Sequence, residues 1–177
     1  MNRILQMLVR PAAGFARPAT NRETWTTLAG LAVINAALSS AVTAVVGVAE
    51  LVALFFLTSL VGGLVVTLIL VGWVHGWNLL LGGRGLSHTF RVVVFGSTPG
   101  LLLGWIAVFP GFGTTARFLL IIWSFGLFAL GLQHLGKRPP HRAWATAATS
   151  LVSGYLVMMA FTYVVITRVI PMIFALS

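Results

Sequence analysis

The sequence predicts an all-α polytopic membrane protein with five transmembrane helices, a cytoplasmic N-terminus and an external C-terminus. Three observations carry that prediction. Of 177 residues, 59% are hydrophobic and only 7% charged, with a mean hydropathy of +1.03, whereas soluble domains are about 25% charged. Apolar runs recur along the chain, each long enough to cross a hydrocarbon core that needs about 20 helical residues. The basic residues, which set a formal net charge of +9, fall between those runs and almost wholly on one side.

The chain divides into a basic cytoplasmic segment, 1–24, and a five-helix transmembrane domain, 25–177. In "MNRILQMLVR", Met1, Ile4, Leu5 and Leu8 recur at helical spacing, with Arg3, Gln6 and Arg10 off the stripe, until Pro11 stops the pattern. This reads either as a short interfacial helix or as a basic tail whose task is topology. The apolar stretch is too short for a secretory signal, although the small-residue "AAGFA" follows.

The expected spans run from Trp25 to Val46, Leu51 to Leu81, Val92 to Phe109, Ala116 to Leu135 and Trp144 to Ile170. With these boundaries Arg3, Arg10, Arg17, Arg22, Arg84, Arg91, Lys137, Arg138 and Arg142 lie inside, and Arg117 and Arg168 outside. The second run exceeds one crossing and carries Gly62-Gly63 as a candidate bend. Splitting it in two would move Arg84, Arg91, Lys137, Arg138 and Arg142 outside, so one long helix is preferred. Trp25, Trp77, Trp105 and Trp144 sit near span ends, where indoles favour the headgroup layer. Glu50 lies in a turn so short that the first two spans must form an antiparallel hairpin.

The third run, in "HTFRVVVFGSTPGLLLGW", holds Ser97, Thr98, Pro99 and Gly100 mid-span. Proline removes an amide donor and clashes with the preceding turn, so the freed carbonyl needs Ser97, Thr98, water or a neighbouring helix. The segment should therefore bend against protein. Gly100 and Gly104 form a G-x-x-x-G pair, and Gly72 and Gly76 another, so two small-residue faces are candidates for close contact.

"NLLLGGRGLSHTFRVVVFGSTPGLLL", Asn78 to Leu103, resembles the core of the Yip family, named for proteins that interact with Ypt/Rab GTPases. It pairs an apolar helix and a Gly-Gly-basic-Gly turn with an amphipathic stretch and a proline-bearing helix. "RFLLIIWSFGLFALGLQHL" resembles the family's fourth helix, "GKRPPHRAW" the basic turn after it, and "RPAAGFARPATNRETW" the segment before the first helix. The resemblance implies five helices with a cytoplasmic N-terminus and no catalytic residues. Eukaryotic members are adaptors that engage GTPases largely through a long N-terminal region, and with about 24 residues here GTPase binding is not carried over. The compact chain looks like the bacterial branch, some of whose members accompany ABC-type exporters as accessory subunits. The expectation is an adaptor or accessory subunit in a prokaryotic cytoplasmic membrane, partnered by the bilayer and by another membrane protein or itself.

The residues argue against catalysis, cofactors and nucleic acid. The only acids, Glu23 and Glu50, lie near opposite interfaces and cannot pair. His75, His88, His134 and His141 form no metal-binding motif, and without cysteine there is no thiolate site. "FGSTPG" lacks a nucleophile elbow, and "GGRG" is too short to cradle a triphosphate. The cations report orientation rather than a nucleic-acid partner.

A small oligomeric transporter or channel is the alternative. Its basis is a set of polar intramembrane residues, chiefly Asn35, Ser39, His75 and Asn78. His75 reads as an interfacial histidine bonded to a neighbouring helix, with a proton relay as the competing role. In "GKRPPHR", the cations read as topology signals, or as a stiff basic loop that attracts anionic headgroups.

Overall fold

A computed structural model describes residues 3–16, 19–45, 51–83, 85–108, 113–164 and 167. Eight α-helices follow in order: α1 (Arg3–Val9), α2 (Pro11–Ala16), α3 (Asn21–Val45), α4 (Val52–Leu80), α5 (Leu86–Gly96), α6 (Thr98–Leu103), α7 (Gly113–Leu135) and α8 (Pro140–Val164). A 3-10 segment, Gly104–Val108, extends α6. Among the described residues there is no strand.

Among the described residues five stretches are long and apolar enough to cross a membrane: Asn21–Val45, Val52–Leu80, Leu86–Ile106, Gly113–Leu135 and Pro140–Ala160. The protein is a multi-pass membrane protein. The second span is one continuous helix through Gly62 and Gly63. The third begins earlier than expected, at Leu86, because the basic stretch before Val92 is itself helical. Glu50, Arg84 and Arg168 lie outside the described residues.

The third span is the centre of the bundle. It is 56% buried, against 11% for the most apolar window of α4, and α5 packs on α3, α4 and α7 while α6 packs on α3 and α7. The outer helices close around it, with α3 paired to α4, and α8 against both α4 and α7. Lipid tails are as apolar as leucine, so packing rather than water exclusion holds such helices together. The close packing is visible at Gly96, where an added Cβ would lie 2.8 Å from the Phe128 ring. Val92, Val93, Val94 and Phe95 are all fully enclosed.

This central place explains the proline. α5 ends at Gly96 and α6 starts at Thr98, so the span is broken where Pro99 supplies no amide for the turn before it. Ser97 bridges the break, its amide donating to the Val93 carbonyl at 2.8 Å and its carbonyl accepting from Leu101 at 2.9 Å. Thr98 and Pro99 are buried in protein. Irregular backbone survives at this depth because neighbouring helices surround it.

The segment before the first span is packed onto the bundle. Pro11 does not end helical structure but opens α2, which lies on α7. Phe15 is 1% exposed and clusters with Ala19, Phe95 and Leu127. Its ring fits over Gly131, where an added Cβ would meet Phe15 and Val92 at 3.0 Å. α3 then starts with a reciprocal cap: the Thr20 amide donates to Glu23 Oε2 at 2.9 Å, and the Glu23 amide to Thr20 Oγ1 at 3.1 Å.

Candidate functional site

Two polar constellations stand out. The first is a buried node at the basic end, where the turns 81–85 and 136–139 meet. α4 finishes in a Schellman motif: the Gly82 amide donates to the Leu79 carbonyl at 3.0 Å and the Gly83 amide to the Asn78 carbonyl at 2.6 Å. Gly82 has φ +78°, a left-handed value that glycine adopts without strain. α7 ends alike, with Lys137 at φ 48° and the Arg138 amide donating to the Gln133 carbonyl at 3.1 Å.

That second turn swings Arg138 inward. Its Nη2 donates to the Asn78 carbonyl at 2.9 Å and the Leu81 carbonyl at 3.3 Å, and its Nη1 to Thr146 Oγ1 at 2.8 Å. Thr146 Oγ1 in turn donates to the Arg142 carbonyl at 2.8 Å. One guanidinium thus ties the end of α4 to the start of α8, with its charge at the negative end of the α4 dipole. Only 9% of Arg138 is exposed. Burial, and after it the like charge of Arg142, pull the guanidinium below its ordinary range, although such a strong base stays charged at neutral pH.

Around the node, Asn78 Nδ2 donates to Thr89 Oγ1 at 3.0 Å, and His75 Nδ1 lies 3.1 Å from the same oxygen. Because Asn78 already donates to that hydroxyl, its proton can turn to His75 Nδ1, which suits the Nε2–H tautomer. Gly83 fits the node only without a side chain, since an added Cβ would collide with Arg138 Nη2 and Asn78 Oδ1. Trp73 adds a second tie to α8, donating from Nε1 to the Ser150 carbonyl at 3.0 Å.

The second constellation is a laterally open groove of about 460 Å³ among α3, α4, the third span and α7. Asn35, Thr58, Ser59, Thr67, Ser97 and Ser124 set polar groups into a lining that is otherwise mostly apolar. Thr58 and Thr67 return their hydroxyls to their own helix, at the Leu54 and Gly63 carbonyls. Asn35, Ser59, Ser97 and Ser124 have no side-chain hydrogen bond among the described residues. Four groups with hydrogen-bonding capacity therefore face one opening at intramembrane depth, each favouring a partner that lipid tails do not offer.

Several expected site residues are placed differently. The pairs Gly72/Gly76 and Gly100/Gly104 do not meet: Gly72 and Gly76 are exposed on the outer face of α4, and an added Cβ at either, or at Gly100, would find nothing within 4 Å. Close approach in this bundle uses Gly96 and Gly131 instead, because aromatic rings lie over them. Gly100 is exposed along the groove rather than pressed on a helix. Gly104 sits beside Asn35, 3.7 Å from an added Cβ to Oδ1. Ser39 is half-buried outside the groove, its carbonyl accepting from Thr43 at 2.9 Å.

The basic loops also separate. Arg138 is not a surface cation, for the Schellman turn aims it at the α4 carbonyls. Lys137 and Arg142 are exposed. Arg91 Nη2 and Ser87 Oγ both donate to Asn21 Oδ1, at 3.1 and 2.7 Å, fastening α5 to the start of α3. Sequence reasoning passed over Thr89, Thr146, Asn21 and Phe15. Polar Asn78 one turn before a Gly-Gly pair was the available hint that a buried partner was required.

Among the described residues no cluster of His, Cys, Asp or Glu could hold a metal ion. Comparison with curated proteins finds no match, and comparison with solved structures finds none either. The family model described as the Yip1 domain matches residues 5–161, reaching from α1 through the fifth span. A central proline-broken helix, a Gly-Gly turn locked to a basic loop and a packed N-terminal segment all fall within those limits, and the chain belongs to the Yip family.

Proposed function

We propose that the protein is a non-enzymatic membrane adaptor, an accessory subunit that holds a transmembrane helix of a partner complex in this groove. The observation that carries this reading is that Asn35, Ser59, Ser97 and Ser124, which have no side-chain hydrogen bond among the described residues, surround one opening. A partner helix with small or hydroxyl-bearing residues would satisfy them and cover the groove in a single step. An ABC-type exporter in a prokaryotic cytoplasmic membrane is the partner complex this reading takes, with the basic end cytoplasmic by the positive-inside rule. GTPase recruitment is no part of it, because Phe15 of the segment before α3 is already engaged in the bundle.

A photoreactive residue at Ser59 or Ser124 tests the proposal in intact membranes. The expected product is a discrete adduct with a transmembrane subunit of an exporter, weakened by Asn35→Leu. Adducts formed solely with a second copy would favour the small oligomeric transporter or channel. Adducts with lipid alone would overturn a protein-filled groove.

A further inference from the structure

The buried node leaves one cation unanswered. Arg142 is exposed in the first turn of α8, and its guanidinium has no hydrogen bond or ion pair among the described residues. Arg138 repels it, and it stands at the N-terminal, positive end of the α8 dipole. Among the described residues no acid pairs with this charge. The chain's only acids are Glu23, engaged in the cap of α3, and Glu50, which lies outside the described residues.

Arg142 also borders a cavity. An opening of about 390 Å³ is lined by Leu80, Leu81, Gly82, Arg142 and Ala145. Its composition is amphipathic, one guanidinium beside three apolar side chains, and Leu80 is 76% exposed. The position is the membrane boundary, where α4 ends and α8 begins. The turn and Arg138 use the carbonyls of Trp77, Asn78, Leu79 and Leu81, which offsets part of the negative polarity of the α4 terminus.

We propose that this corner binds the phosphate of an anionic phospholipid, with Arg142 taking the phosphate and Leu80, Leu81 and Ala145 taking the adjoining acyl chain. A guanidinium can give a phosphate two parallel hydrogen bonds, and the bilayer supplies both the anion and the chain at this depth. Arg138 contributes by position: it fixes the ends of α4 and α8 and so shapes the opening, without touching the lipid. The site is independent of the groove, which lies among other residues deeper in the bundle.

The test uses the full chain in nanodiscs of phosphatidylcholine, with or without phosphatidylglycerol, followed by native mass spectrometry of retained lipid and thermal unfolding. The expected result is preferential retention of phosphatidylglycerol with a rise in Tm. Arg142→Gln should weaken that retention roughly tenfold or more, the loss of one bidentate charged contact, while keeping the Tm seen in phosphatidylcholine alone. Ala145→Trp, which fills the apolar side and leaves the charge, should weaken it too. Lys137→Gln, which removes an exposed cation of the same loop but no lining residue, should leave it unchanged. Equal losses in Lys137→Gln and Arg142→Gln would reduce the effect to general charge and overturn the proposal. So would full stabilisation by inorganic phosphate in phosphatidylcholine discs, which would make the ligand a soluble anion.

Discussion

Arg138 shows how far a single residue can depart from what its neighbours in sequence suggest. In "GKRPPHR" it is one of several cations flanking a proline pair, and composition treats them alike. The backbone does not. Lys137 in the left-handed region turns the chain back, and the next side chain is delivered to the C-terminal carbonyls of a helix 60 residues away in sequence. Arg138→Met should remove the donors that serve the Leu81 carbonyl and Thr146. The expected cost is about 2–3 kcal/mol, a fall in Tm of roughly 5–10 °C by differential scanning fluorimetry in detergent. Arg138→Lys should restore less than half, because one ammonium lacks the planar fork that reaches two helices at once. A silent Arg138→Met would mean the node contributes nothing to the fold. Asn78, His75 and Gly83 were visible as residues, but not as a set, because what unites them is the Arg138 rotation.

At the scale of the element, the third span was legible in kind and only partly in detail. Pro99 with flanking hydroxyl residues implied a break protected by protein, and Thr98 and Pro99 are indeed enclosed between neighbouring helices. Sequence did not tell which glycines lie in contact. G-x-x-x-G spacing marks a smooth helix face, but contact also needs something to pack there, and Gly72, Gly76 and Gly100 have open space. Cysteine scanning in this cysteine-free chain separates the two sides. Thr98→Cys should resist a lipid-soluble maleimide, and Gly100→Cys should label when the protein is purified without partners. Similar labelling at both positions would deny the central placement of the span.

For the whole molecule, the apolar runs and the basic loops between them made the five spans readable, with end positions shifted by a few residues. Their arrangement was not readable. No periodic stripe along the apolar runs tells which helix is central, and of the two least hydropathic spans, the third and the fifth, it is the proline-bearing third that sits inside. The groove had a similar fate: Asn35 and Ser97 were noted, yet their meeting with Ser59 and Ser124 depends on the helix order. A groove-blocking substitution therefore bears most directly on the claim that this fold is a receptacle for a partner helix. Gly100→Leu places a side chain in the opening with nothing within 4 Å of its Cβ to disturb. The measurement is the mass of the complex extracted in mild detergent, set beside the Tm of the purified chain. The account predicts an unchanged Tm with loss of the partner, whereas a partner retained at full occupancy by a stably folded Gly100→Leu chain would contradict it.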